Sequence, residues 1–216
     1  MRRTLMSNKT VIISCAGMGT RLGAGKPKAL IDIDGKPLII RTLEMLNDVD
    51  DIRVVVGYQA ERVIEVVKNY RRDVVFVYNH GYQQNGTGAS VSLAKKYSRK
   101  YILTIDGDIL IHPDDMKEIL LSETEFVGVC KPSTDDPVLV GIKDNKVTNF
   151  YQENGPYEWT GVTMLESRKL TPTDGHVLHL VEQVLPLGYK IIREREIDTP
   201  NDYKNAIIWV ENGYKD

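Results

Sequence analysis

The 216-residue chain has little net charge, few cysteines and no long apolar run, and each shortage excludes something. Its 28 basic and 30 acidic side chains leave a formal charge of −2. No long-range field therefore draws it to nucleic acid or to an anionic membrane, and any basic surface must be local. No segment approaches the roughly 20 consecutive apolar residues that span a bilayer. Residues 1–10 are basic, but the apolar stretch and cleavage site of a secretory signal do not follow. That predicts a cytoplasmic protein without membrane insertion. Cys15 and Cys130 lie far apart, each in or beside an apolar segment, and make no metal pattern, so both read as buried free thiols.

Two phosphate-loop patterns are also missing. The apolar run Val11-Ile12-Ile13 empties into residues 15–30, CAGMGTRLGAGKPKAL. A Walker A loop needs a hydroxyl residue after its lysine, and Lys26 is followed by Pro27. A dinucleotide loop needs a third glycine three residues after Gly19, where Leu22 stands. What is present still describes a loop that holds a polyphosphate. Gly17 and Gly19 let the backbone approach an anion, and Arg21 and Lys28 add charge that neutral amides cannot.

The length suits one α/β domain over residues 1–216. Apolar runs at 11–14, 52–56, 74–78, 101–105 and 126–130 suit strands buried on both faces. Segments 37–46, 61–69, 88–97 and 114–121 carry helical periodicity between them, which predicts a doubly wound, mainly parallel sheet of Rossmann-like type. After Cys130 the rhythm changes: 138–142, 147–151 and 159–165 read as short strands without intervening helices. They predict an inserted antiparallel lobe at roughly 131–170 that walls the site on the acceptor side. Segments 176–187 and 201–212 return to helical spacing.

Residues 101–110, YILTIDGDIL, place Asp106 and Asp108 at the carboxyl edge of a buried strand. Residues two apart on a strand share a face, and two carboxylates there suit Mg2+, a hard cation that bridges protein to phosphate oxygens. The competing reading is an Asp-Gly-Asp turn with its side chains capping local amides.

Taken together, G-x-G-T-R-L, the Pro27-Lys28 pair and the apolar-Asp-Gly-Lys-Pro-Leu stretch at 33–38 resemble the signature of nucleotidyltransferases that activate sugar phosphates and small alcohol phosphates. The resemblance implies that Ala16, Gly17, Met18, Gly19 and Thr20 cradle the nucleotide. It also implies that Arg21 holds the β- and γ-phosphates and that Lys28 stabilises charge at the α-phosphate. Asp108 maps onto the metal ligand, with Asp106 in support. Asp198, in EIDTPNDY at 196–203, maps onto the second ligand, and Asp202 falls in the first turn of the last helix.

Residues 85–94, NGTGASVSLA, resemble the base-side stretch of cytidylyltransferases, which makes Gly86, Thr87 and Ser90 nucleotide-binding candidates. Small residues packed at a helix start would give much the same letters. The Ala16-Gly17 loop start looks like that of pyrimidine enzymes, and CTP is chosen over UTP. For the acceptor, the candidates are Glu153, Tyr157, Glu158, Trp159 and Gly161, with the aromatics and Glu holding an ammonium by cation–π contact and charge. Plain packing is the alternative for the aromatics. The expected reaction is transfer of CMP from CTP to a small phosphorylated or phosphonate acceptor, with release of pyrophosphate. A sugar-1-phosphate uridylyltransferase and a non-catalytic nucleotide sensor remain as alternatives.

Overall fold

The computed structural model describes residues 8–19, 25–133, 137–151 and 153–215. Its early strands are β1 (Lys9–Cys15), the short pair β2 (Asp32–Ile33) and β3 (Lys36–Pro37), β4 (Ile52–Val56), β5 (Val74–Tyr78), β6 (Tyr101–Asp106), β7 (Ile109–Ile111) and β8 (Phe126–Cys130). They are followed by β9 (Val140–Lys143), β10 (Lys146–Phe150), β11 (Glu158–Glu166), β12 (Tyr189–Ile191) and β13 (Glu194–Glu196). The helices are α1 (Leu38–Met45), α2 (Ala60–Tyr70), α3 (Thr87–Ala94), α4 (Pro113–Leu121), α5 (Leu178–Glu182) and α6 (Pro200–Glu211). No described helix is long and apolar enough to cross a membrane.

Seven strands form the central sheet in the order β12-β8-β11-β6-β1-β4-β5. β1 pairs in parallel with β4 and β6, β4 with β5, and β8 with β12. β11 runs antiparallel to both of its neighbours. The strand alternation sorts the core. Val11, Ile13, Val54 and Ile105 face α1, α2 and α4, meeting Leu43, Val63, Val67 and Ile119. Ile12, Val55 and Ile102 face the other way and meet Val91, Leu178 and Val181.

Three expectations change. β9 and β10 form a separate antiparallel hairpin, but the expected lobe strand at 159–165 is β11, wedged between β6 and β8 in the main sheet. It is buried along nearly its whole length, which a hairpin lobe could not provide. The helix expected over 176–187 shrinks to α5, since Leu185 precedes Pro186 and is steered away from the helical region. The helix expected over 88–97 stops at Ala94, three residues before Tyr97, whose φ is +58°.

A small pairing outside the main sheet positions the site. β7 lies antiparallel to β13, with Ile109 opposite Glu196. The Ile197 N–H then donates to the Asp108 carbonyl at 3.0 Å. Two segments some ninety residues apart in sequence are thereby joined at the carboxyl end of β6.

Candidate active site

β1 and β6 end side by side, and Gly107 is what lets them. A Cβ there would lie 2.7 Å from both the Cys15 Sγ and the Ser14 carbonyl oxygen. Beyond this junction opens a cavity of about 320 Å3, lined among others by Gly17, Gly19, Lys28, Asp106, Asp108 and Glu196. Gly19 has φ +58°, and a Cβ there would sit 2.6 Å from Lys28 Cγ. The glycine therefore does two things: it turns the loop and clears a path for the lysine stem.

Lys28 Nζ donates to Asp108 Oδ2 at 2.7 Å and also to Asp198 Oδ1. Burial alone would lower its pKa, but the charge of Asp108 and the hydrogen bonds to both carboxylates outweigh that and raise it. The ammonium is thus held as a cation. Asp108, Glu196 and Asp198 each bring a carboxylate oxygen within 4.8 Å of the others. Three carboxylates around one ammonium leave excess negative charge, and oxygen-only donors at this spacing fit a hard divalent cation.

Asp198 is fixed from behind. Thr199 caps α6 in a capping box: its Oγ1 accepts from the Asp202 N–H at 3.2 Å, and the Asp202 carboxylate accepts from the Thr199 N–H at 2.8 Å. Asp202 also accepts from the Asp198 N–H at 3.3 Å. As the sequence suggests, Asp202 belongs to the helix start. Asp106 lies beside the cluster. Its carboxyl is pushed well above the usual carboxylate range by burial first, then by Asp108 and Glu196, against the pull of Lys28. Gly161, at φ +77°, makes room for the Asp106 carboxyl, since a Cβ there would come within 2.7 Å of Asp106 Oδ2.

The base-side candidates are placed differently from expectation. The Gly86 N–H donates to the Asp174 carbonyl at 2.8 Å and the Gly88 N–H to that of Gly175 at 2.9 Å. Thr87 Oγ1 accepts from the Val177 N–H at 3.1 Å, and Ser90 Oγ accepts from Asn79 Nδ2 at 3.1 Å. The amides at the start of α3 are committed to a strap at 174–177. A Cβ on Gly86 would lie 2.4 Å from the Gly175 carbonyl oxygen, so this glycine serves close packing. Thr87 still lines the cavity, together with His176 from the strap. His176 Nδ1 accepts from the Leu178 N–H at 3.3 Å, and burial, then His179, lowers its pKa. It is a site residue that sequence reasoning missed, because nothing local marks the strap.

The acceptor candidates do not converge either. Glu158 and Trp159 are neighbours on β11 and point to opposite faces. Trp159 packs edge-on against Phe150 and His176 and donates Nε1–H to Thr163 Oγ1 at 3.2 Å. Tyr157 packs on Tyr189, and Glu153 is exposed. Glu158 is buried on the other side, where its Oε1 accepts from the Ser133 N–H and hydroxyl at 2.8 and 2.9 Å. The expected cage of Tyr, Trp and Glu around one ammonium is not formed. In the loop, Ala16 is buried, Gly17 and Met18 are exposed, and Thr20 and Arg21 lie outside the described residues.

The MobA-like NTP transferase domain matches residues 11–186. The chain belongs to that family. It is a nucleotidyltransferase, and the carboxylate cluster matches the divalent-metal chemistry of such enzymes. The bifunctional protein GlmU of Methanococcus maripaludis is 34% identical over 150 residues, 66% of this chain and 35% of that protein. The chain thus spans about a third of the length of this curated relative. Among solved structures, CTP:phosphocholine cytidylyltransferase (LicC) from Streptococcus pneumoniae superposes with TM-score 0.75 at 22% identity, covering 94% of this chain and 99% of that one. HddC from Yersinia pseudotuberculosis, complexed with GMP-PN, gives 0.74 at 24% identity, covering 93% and 99%. At these identities the likeness is one of fold.

A second buried cluster lies near the nucleotidyltransferase site. Cys130, Glu158 and Glu194 bring one donor atom each within 4.8 Å of one another. Burial, then Glu196, pushes Glu194 up to about 8. Because the folded value exceeds the ordinary one of 4.5, the native state disfavours the ionised form. Stability from this group is complete below pH 4.5 and is lost as pH rises towards 8. Glu194→Gln removes that loss. The Tm difference, variant minus wild type, is expected to climb between about pH 5 and pH 9 in thermal melts; a flat difference would refute the assignment.

Proposed function

We propose that this nucleotidyltransferase moves CMP from CTP to a small phosphorylated acceptor, releasing pyrophosphate. The observation that carries the transfer chemistry is the meeting of Lys28 with Asp108 and Asp198 under the glycine loop, with Glu196 beside the two carboxylates. An acceptor phosphate oxygen attacks the α-phosphorus in line with departing pyrophosphate. A phosphate dianion is already nucleophilic, so positioning and charge stabilisation suffice and no general base is required. Asp108 and Asp198, with Glu196, are the residues to hold Mg2+. When bound, that ion neutralises phosphate charge and polarises the reacting phosphoryl group. Lys28 supplies the second positive charge at the α-phosphate, and Arg21 serves the β- and γ-phosphates.

The preference for CTP is supported by the Ala16-Gly17 loop start and by the likeness to the S. pneumoniae cytidylyltransferase. Gly86 and Gly88 at the start of α3 lend it no support, since their amides are occupied. The test is a pyrophosphate-release screen of the four nucleoside triphosphates against alcohol, amine and sugar phosphates, at fixed Mg2+. Turnover with CTP and a small acceptor is expected. Efficient use of UTP with a hexose 1-phosphate, and none of CTP, would replace the cytidylyl reading with a uridylyl one. Silence with every pair would remove the catalytic reading in favour of a sensor.

A further inference from the structure

Next to the nucleotide cavity lies a second one of about 710 Å3, whose wall includes Cys130, Ser133, Ile192, Glu194, Glu196 and Asp202. Glu196 lines both, so the two spaces meet at the carboxylate cluster. Glu194 is 5% exposed, and its Oε2 has no hydrogen-bond partner among the described residues. Its Oε1 lies 3.6 Å from the Cys130 thiol, which is also 3.4 Å from Glu158 Oε1. One thiol proton cannot serve both carboxylates, and Glu158 already receives two donors from Ser133. Buried carboxylates are satisfied in folded proteins, so a wall carboxylate short of donors marks a place where a ligand brings them.

The cations of the same wall are engaged elsewhere. Arg193 pairs with Asp115 at 2.6 Å. Arg195 stacks 4.6 Å over the Trp209 ring and donates to the Glu194 carbonyl oxygen at 2.8 Å. Lys131 is exposed at the rim. The Arg195 charge reaches Glu194 without offsetting its burial, so a cationic group on a ligand would supply what the wall does not.

Spacing says what else the ligand carries. Glu194 and Glu196 are two apart on β13, on one face and about 7 Å apart by strand rise. A ligand lying along this edge can put a phosphate at the Glu196 end, beside the nucleotide, and a cation at the Glu194 end, and the close spacing of the two residues calls for a short chain between them. The named wall residues include no aromatic ring, and Trp159 and Tyr157 pack elsewhere. A trimethylammonium group has no N–H to give and relies on aromatic faces, whereas a primary ammonium offers three donors to carboxylates.

Resting on the transferase reading above, we propose that the acceptor is a short aminoalkyl phosphate or phosphonate whose primary ammonium sits against Glu194 and Glu158. The test compares 2-aminoethyl phosphate, its N-trimethyl analogue, ethyl phosphate and a hexose 1-phosphate by pyrophosphate release, with the triphosphate the enzyme uses best. The amine is expected to exceed the others at least 100-fold in kcat/KM. Glu194→Gln should raise its KM at least tenfold and leave that for the triphosphate within twofold. Calorimetric titration of wild type and Glu194→Gln with 2-aminoethyl phosphate and ethyl phosphate reads the same preference without turnover. Equal affinity for amine and ethyl ester, equal use of the trimethylated analogue, or an unchanged KM in Glu194→Gln would each overturn the proposal. A non-amine acceptor used as well as the amine or better would overturn it while leaving the transferase reading intact.

Discussion

Asp108→Asn and Asp198→Asn are each expected to cut turnover about 1,000-fold at saturating substrate, because a bound cation supplies several kcal/mol of charge stabilisation and every 1.4 kcal/mol is tenfold. Asparagine keeps the shape and one acceptor oxygen, so the hydrogen bond from Lys28 survives while the charge is lost. The fold should not suffer. Asp108 lines the cavity and Asp198 stands beside it in the carboxylate cluster, so both sit in an excess of negative charge and not in the apolar core. The Asp106 carboxyl, pushed up in part by Asp108, should ionise more readily in Asp108→Asn. Pyrophosphate release measured across a Mg2+ series, alongside thermal melts, checks both halves. A variant that keeps a tenth of wild-type turnover at low Mg2+ takes its residue out of the ligand set.

This asymmetry between chemistry and stability reflects how the site is assembled. Asp108 and Asp198 come together only because β7 pairs with β13 and Ile197 bonds to the Asp108 carbonyl. Glu196 follows from that pairing. In the sequence it stands two residues before Asp198, the spacing that puts strand residues on one face, so the alternation rule applied to EID would have added it to the set. His176 carried no such signal. The strap at 174–177 reaches the site by capping the start of α3 across some ninety residues of sequence.

The same long-range contact explains why Gly86 looked like a base reader. A glycine at a helix start is written alike whether it exposes an amide to a ligand or clears space for a crossing chain. Only the Gly175 carbonyl, 2.4 Å from where a Gly86 Cβ would sit, separates the two. The acceptor side is a different case. Glu158 and Trp159 are consecutive in a strand, and their opposite orientation could be read from that alone; grouping them by chemical type hid it. The parallel sheet was legible for the opposite reason. Strands buried on both faces write themselves as continuous apolar runs, and those runs depend on local burial more than on any one distant partner.

Lys28 joins the loop to the carboxylates, and its replacement tests the proposed role at the transferred group. Its side chain is 13% exposed, passes the gap left by Gly19, and ends on Asp108 and Asp198. The ammonium therefore sits on the oxygens that a divalent cation would use, and the two would compete for them. With a divalent cation held by the carboxylates, Lys28 would be free to reach the α-phosphate, where charge would develop during transfer. Lys28→Ala should then lower kcat by about 100- to 1,000-fold, the usual cost of removing one positive group from developing charge. The KM for the triphosphate should move much less, since the interaction is strongest in the transition state. At the same time the Mg2+ concentration giving half-maximal activity should fall, because the competitor is gone. Lys28→Met, which keeps the apolar stem, should behave like Lys28→Ala if charge is the active element and like wild type if packing is. Steady-state kinetics over paired triphosphate and Mg2+ series read all three quantities. A kcat within threefold of wild type would end the role in transfer, and a higher Mg2+ requirement would end the competition.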